Sequence, residues 1–261
     1  MLKKDNFITH SRLGTVMEWL PDGWCPKFVA VDIDGTLTDG EKRLNSGAIE
    51  SLHRLEKAGI PVILATGNVR AITYGLWRFL KLSGPICCEN GGVLWHPSFE
   101  EPILQADGND AKKAAQWLDS LMHLNGGWKG IVSNQWRESE WCLYPSENLE
   151  EVRMHLAESE WSHLTALRTG FAIHLMEPHL SKGSGLKILL DKMGWRREDM
   201  LCVGDAPNDL SMFEFAHWSI AVKGAFESVS EAADVCSPHF HGDTFTPLVD
   251  AILKAHSLTR E

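Results

Sequence analysis

A short apolar run, Val29-Ala30-Val31, leads straight into Asp32-Ile33-Asp34-Gly35-Thr36-Leu37-Thr38, and no other stretch constrains the chain as strongly. Consecutive apolar positions of this length read as a buried central strand, and in open α/β sheets ligands collect at the carboxyl ends of such strands. Asp32 and Asp34 stand at that end. Two carboxylates this close repel and are costly to bury unless a cation is present, so the pair points to a hard divalent metal held by oxygen ligands.

A second acidic cluster follows the same plan. Met200-Leu201-Cys202-Val203 runs into Gly204-Asp205-Ala206-Pro207-Asn208-Asp209, and Leu210 to Phe213 then looks helical. Between the two clusters, Val62 to Ala65 ends in Thr66-Gly67-Asn68, and Ser181-Lys182-Gly183 opens a helix. Asp, hydroxyl, Lys and Asp-Asp in this order form an inventory for moving a phosphoryl group, which requires an in-line nucleophile, positive charge around the equatorial oxygens and a group to handle the leaving-group proton. A carboxylate serves as nucleophile by forming an aspartyl phosphate. The pattern makes Asp32 the candidate nucleophile and Asp34 the candidate acid and base. Thr66 would donate a hydrogen bond to the phosphoryl group. Lys182 would neutralise both nucleophile and phosphate at a helix start that adds amide donors. Asp32, Asp34, Asp205 and Asp209 would form an oxygen-ligand Mg2+ site. Taken singly, Thr66 reads better as a helix N-cap and Lys182 as a solvated lysine; their joint placement at strand exits and a helix entry favours the site.

These four stretches resemble, in order and spacing, the motifs of the haloacid dehalogenase (HAD) phosphatase superfamily, over about residues 27–256. Glu89-Asn90-Gly91-Gly92 resembles the entry to a cap domain in its Cof-like branch. Asn134-Gln135-Trp136-Arg137-Glu138, His174-Leu175-Met176 and Thr66-Gly67-Asn68 look like archaeal phosphoglycolate phosphatases. The resemblance implies a phosphoric monoester hydrolase with Mg2+ as cofactor and 2-phosphoglycolate as first-choice substrate. It also implies substrate contacts from Thr66, Gly67, Asn68, Lys182 and Asn208. Arg137 is the first cap residue expected on a substrate carboxylate, because a guanidinium binds one bidentately; a cap-surface or interface role for Trp136, Arg137 and Glu138 stays open.

Strand and helix alternate through much of the chain. Ser46 to Lys57 carries Ile49, Leu52 and Leu55 at helical spacing and Gly59 closes it; a strand is expected at 61–65, a helix at 69–82 and a strand at 85–88. This is the pattern of a doubly wound parallel sheet, a Rossmann-like α/β core. From about Gly91 to His179 the texture changes to shorter strand candidates at 130–133, 140–144 and 172–176, with helices at 110–123 and 148–158, which predicts an inserted α+β cap. The core resumes with a helix at 183–193, a strand at 200–204, a helix from Pro207, a strand at 219–222 and a terminal helix near 245–255. The expected division is an accessory segment over 1–26, a core over 27–90 and 180–261, and a cap over 91–179. A lid over the strand ends excludes water and reads the part of the substrate beyond the phosphate.

Composition excludes more than it identifies. Against 35 acidic residues stand 25 Lys plus Arg, a net charge of −10, which disfavours nucleic acid and anionic membranes as partners. The small phosphorylated metabolite implied by the motifs therefore needs local positive potential from Lys182, backbone amides and a metal. The six cysteines, at 25, 87, 88, 142, 202 and 236, show neither a disulfide framework nor a zinc spacing, and Cys87, Cys88 and Cys202 read as small core hydrophobes. No apolar segment spans a bilayer and no signal-peptide core appears, so the cytoplasm is the expected location. Phe7, Ile8, Val16, Trp19, Leu20 and Trp24 predict an accessory helix or interface, and the 11 tryptophans fit a homodimer contact. His239 and His241 with Asp243 have a metal-like composition on a polar stretch. A sugar phosphatase or phosphomutase on the same core is the enzymatic alternative. A phosphate-storing receiver or a non-catalytic binding protein is the alternative of another class, opposed by Asp34 beside the nucleophile, by the large insertion and by the complete motif set.

Overall fold

The computed structural model describes residues 18–258, so Phe7, Ile8 and Val16 of the expected accessory helix lie outside the described residues. The core opens with β1 (Phe28–Val31), α1 (Ser46–Lys57), β2 (Val62–Ala65), α2 (Arg70–Phe79), β3 (Ile86–Cys88) and the short strands β4 (Val93–Trp95) and β5 (Ile103–Leu104). A second unit follows: α3 (Asn109–Met122), β6 (Trp141–Leu143), α4 (Leu149–Ala157), β7 (Thr165–Arg168) and β8 (Ile173–Met176). The chain returns through α5 (Lys182–Met193), β9 (Met200–Gly204), α6 (Leu210–Phe215), β10 (Trp218–Lys223), α7 (Glu227–Ala232), β11 (Val235–Phe240) and α8 (Phe245–Leu258).

The large sheet has the order β11-β10-β9-β1-β2-β3-β4-β5, parallel except for β4 and β5 at one edge. After β1 the chain winds outward through β2 and β3, then returns to β9 on the other side of β1. The strand order therefore reverses beside β1, the place where doubly wound sheets hold their ligands. Both faces of β1 are covered. Val29 and Val31 pack with Leu52 and Leu55 of α1 and Leu248 of α8, whereas Phe28 and Ala30 pack with Leu186 and Leu189 of α5 and Met212 of α6. That two-sided burial explains why the strand is apolar at every position.

The smaller sheet, β6-β8-β7, is antiparallel and carries α3 and α4 over its own core of Leu118, Leu143, Val152 and Ile173. Two of the differences from the sequence-based expectation bear on this unit. The stretch after Gly91 belongs to the large sheet through β4 and β5, so the second unit begins only after Leu104. Residues 130–133 form no strand: Gly130 has φ 57° and a 3-10 turn spans Val132–Trp136. The Asn134 side chain takes the place a neighbouring strand would occupy, accepting from the Cys142 amide (3.1 Å) and donating to the Cys142 carbonyl (2.7 Å). Of the aromatic residues before β1, Trp19 is buried and its carbonyl accepts from the Trp218 indole.

Candidate active site

The first acidic turn is built around one carbonyl. Amides of Thr36, Leu37 and Thr38 all donate to the oxygen of Ile33, and the Gly35 amide donates to the Thr38 hydroxyl (3.0 Å), which turns the chain sharply after β1. Gly35 adopts φ 83°, and a β-carbon there would fall on the Asp205 carboxylate, so the two acidic turns touch only because that residue is glycine. Thr36 fixes the contact by donating to Asp205 Oδ1 (3.1 Å).

Lys182 is the hub. It is the first residue of α5, held by a capping box in which Ser181 and Ser184 exchange hydrogen bonds, and its side chain is fully buried. Nζ donates to Asp32 Oδ1 (2.6 Å) and Asp209 Oδ1 (2.5 Å). Burial disfavours the charge on Lys182, but Asp209 and Asp32 outweigh it and hold its pKa above the usual lysine value. Asp209 Oδ2 accepts from the amides of Asp205 (2.8 Å) and Ala206 (3.0 Å), so both its oxygens are engaged.

Asp32, Asp205 and Asp209 bring carboxylate oxygens within 4.8 Å of one another. Three carboxylates against one ammonium leave excess negative charge in a buried place. Burial pushes the Asp32 carboxyl well above its ordinary range, Lys182 opposes the shift, and Asp209, Asp205 and Asp34 add to it. Asp205 is pushed up to about 6, by burial first and by Asp209 second. This donor set fits a hard divalent cation, whose charge removes the conflict. Asp32 Oδ2 and Asp205 Oδ2 accept no hydrogen bond among the described residues, and Asn208 Oδ1 is a buried acceptor without a partner beside them. Asp209, the third carboxylate of this cluster, also positions Lys182 and the 205–206 turn. Asp34, expected among the metal ligands, lies outside the cluster: Oδ1 accepts from Lys42 (2.6 Å) and Oδ2 from Asn68 (2.5 Å).

Thr66 is completely buried beneath Gly67. Its Oγ1 accepts from the Asn68 amide (3.0 Å) and side chain (3.3 Å), which leaves its own proton to donate, and α2 is capped by Val69 instead. A pocket of about 150 Å3 opens beside Gly67, lined by Asp32, Asp34, Lys42, Phe171, Asp205 and Asn208 as well, while the side chains of Thr66, Asn68 and Lys182 lie behind its lining.

Arg137 does not reach that pocket. Its guanidinium is fully buried, paired with Glu140 and donating to the Gly67 carbonyl (3.1 Å), so it ties the second unit to the turn carrying Thr66 rather than meeting a substrate carboxylate. Around it lies a polar network that motif reading missed. Asn90 bridges Asn208 (2.9 Å), Glu140 (3.1 Å) and His174 (3.1 Å), and Arg70 grips Glu138 with two hydrogen bonds of 2.8 and 2.9 Å. Glu89 accepts from the amides of Glu138 and Ser139 and from the Ser139 hydroxyl. The signals were present in Glu89-Asn90 and His174, but nothing in the sequence showed that they meet. His241 Nδ1 donates to the Gly35 carbonyl (2.6 Å), and Asp243 accepts from Asn45 (2.8 Å); among the described residues, neither joins a metal-type cluster.

Burial, with Glu140 adding and Arg137 opposing, pushes Glu89 up to about 7 from an ordinary 4.5. Because the folded value lies above the unfolded one, its stabilising contribution is present in full below about 4.5 and is lost as pH rises through about 7. Melting temperature should therefore decline from about pH 4.5 to about pH 7 and level off above it, and Glu89→Gln should flatten that decline; an unchanged slope would show that Glu89 does not titrate there.

An open parallel sheet with paired carboxylates and a buried lysine at its switch point, under an inserted α+β unit, defines a phosphoryl-transfer hydrolase. The haloacid dehalogenase-like hydrolase family matches residues 29–136 and 142–244. The chain is 37% identical to phosphoglycolate phosphatase of Methanothermobacter thermautotrophicus over 83% of its length and 94% of the relative's. With phosphoglycolate phosphatase of Archaeoglobus fulgidus it shares 34%, over 84% of this chain and 93% of the other. Its fold resembles the crystal structure of Thermoplasma acidophilum 0175, with TM-score 0.78 and 25% identity over 90% of this chain and all of that one. The chain belongs to the haloacid dehalogenase-like hydrolases. It is a HAD-superfamily phosphatase, a phosphoric monoester hydrolase.

Proposed function

We propose that this phosphatase hydrolyses 2-phosphoglycolate to glycolate and phosphate through an aspartyl phosphate on Asp32, with Mg2+ as cofactor. The observation that carries the reading is the pocket itself. Asp32 and Asp34 open together into one pocket of about 150 Å3, which Thr169, Gly170 and Phe171 of the inserted unit also line. The names of the curated relatives agree with this substrate.

The chain's own residues supply the chemistry in two steps. A carboxylate oxygen of Asp32 attacks phosphorus, the bond to the glycolate oxygen breaks, and Asp34 gives that oxygen a proton. Asp34 then takes a proton from water, the water oxygen attacks phosphorus, and the acyl phosphate bond breaks to return Asp32. Lys182 holds Asp32 in place and offsets its charge, while the Thr66 hydroxyl and the Gly67-Asn68 turn border the phosphoryl group. Mg2+ held by Asp32 and Asp205 would neutralise phosphoryl oxygens and keep the nucleophile and phosphate from repelling each other. The cytoplasm is the proposed location, in keeping with six free cysteines. Among the described residues no helix is long and apolar enough to cross a membrane.

The test is phosphate release from a panel of small phosphomonoesters with Mg2+, where 2-phosphoglycolate should show the highest kcat/KM. Exhaustive chelation should stop turnover, Mg2+ should restore it, and Ca2+ should substitute poorly because its looser coordination misaligns the in-line geometry. Asp205→Asn should raise the Mg2+ requirement steeply. Undiminished turnover after chelation removes the metal from the scheme, and a sugar phosphate as best substrate removes phosphoglycolate.

A further inference from the structure

We propose that Lys42 is the residue that recognises the substrate's carboxylate, a role resting on the phosphoglycolate reading above. Asp34 marks the leaving-group side of the pocket, because the group that protonates the ester oxygen must lie next to it. Lys42 Nζ sits 2.6 Å from Asp34 Oδ1, so whatever extends beyond the ester oxygen meets this ammonium. Among the described residues lining the pocket Lys42 is the one cation, against Asp32, Asp34, Asp39 and Asp205. A substrate bringing a second negative charge into such surroundings needs a cation at that end.

Its placement is built into the fold. Lys42 lies in a tight loop joined at its base by a bridge between Thr38 and Leu44, and Asp39 Oδ1 accepts from the amides of Glu41 (2.8 Å) and Arg43 (3.0 Å). The backbone holds Lys42 at φ 65°, a conformation non-glycine residues seldom adopt. From the inserted unit, Phe171 faces the same ammonium, 5.1 Å from ring centroid to Nζ. Loop and ring together hold one charge beside Asp34 at the leaving-group end of the pocket. That selects esters whose carboxylate is only a carbon or so from the ester oxygen. The side chain is half exposed, so the ammonium has the freedom to turn from Asp34 to an incoming carboxylate.

The experiment compares 2-phosphoglycolate with 2-hydroxyethyl phosphate, which has similar size and no carboxylate. Wild type, Lys42→Ala and Lys42→Arg are measured on both, with circular dichroism melts to establish folding. Lys42→Ala should slow both substrates, since Asp34 loses a partner, but should lower kcat/KM for phosphoglycolate at least tenfold more than for hydroxyethyl phosphate, mainly through KM. Lys42→Arg should keep most of the preference. Equal losses on both substrates, or a carboxylate preference surviving in Lys42→Ala, overturn the inference and leave Lys42 as a partner of Asp34. A wild-type enzyme without preference for phosphoglycolate overturns the substrate reading itself, and the inference falls with it.

Discussion

Lys182→Ala is expected to destabilise the fold by about 3–5 kcal/mol and to stop turnover as well. Removing one partner from a buried ion pair leaves an uncompensated charge, and that is far more damaging than the net worth of the pair. Here one ammonium serves two carboxylates that are themselves buried, Asp32 and Asp209, so its loss strands both. The truncation also empties the volume of a completely buried long side chain. Lys182→Met separates the two causes, since methionine fills most of the space without the charge. In chelator, denaturant unfolding should show both variants strongly destabilised and Lys182→Ala the more so. If the charge dominates, Asp209→Asn added to Lys182→Met should recover part of the loss, a coupling measurable as a double-mutant cycle. Lys182→Met melting within about 1 kcal/mol of wild type would mean that the carboxylates share a proton and need no ammonium.

The reason so much of this site was legible is that its parts lie at strand ends. Strands β1 and β9 are apolar on both faces because helices cover both, and a chain that must end such a run in Gly-Asp or Asp-x-Asp announces where the acids will stand. Helix α1 was bounded by local chemistry: Asn45 caps its start by accepting from Ala48, and Gly59 follows its end. What escaped were short or irregular strands whose own residues carry a weak pattern. Strands β4 and β5 are short and pair only at the sheet edge. Strand β11 contains Pro238, tolerable because only β10 pairs with it.

The same distinction separates Lys42 from Arg137. Arg137 stood in a motif and looked available, but Glu140 three residues later takes its guanidinium inward, and Glu89 and Cys142 crowd the same space. An arginine buried in that way is committed to architecture. Lys42 stood in an unremarkable polar loop, and only the folded turn aims it at Asp34. Composition said that local positive potential had to be made somewhere; it did not say which basic residue would do it.

Asp32→Asn should lower kcat by a factor on the order of 10^4 to 10^6 while leaving the protein as stable as wild type or more so. An amide is a poor nucleophile and a weaker metal ligand, so both the first bond-forming step and the cation site suffer. The stability side runs opposite to Lys182. Burial raises the Asp32 carboxyl well above its ordinary range, so ionising it costs folding free energy, and that cost grows as pH rises. Asparagine never ionises and its oxygen can still accept from Lys182, which keeps the salt bridge to Asp209. The difference in melting temperature between Asp32→Asn and wild type, measured in chelator, should therefore be zero or positive and widen toward alkaline pH. Intermediate trapping supplies the chemical half. Acid-quenched wild type should carry a phosphoryl group on the peptide containing Asp32, Asp34→Asn should accumulate it on substrates with good leaving groups because water activation is impaired, and Asp32→Asn should never show it. Turnover within tenfold of wild type in Asp32→Asn, or a phosphoryl group found on Asp205, would place the nucleophile elsewhere in the cluster.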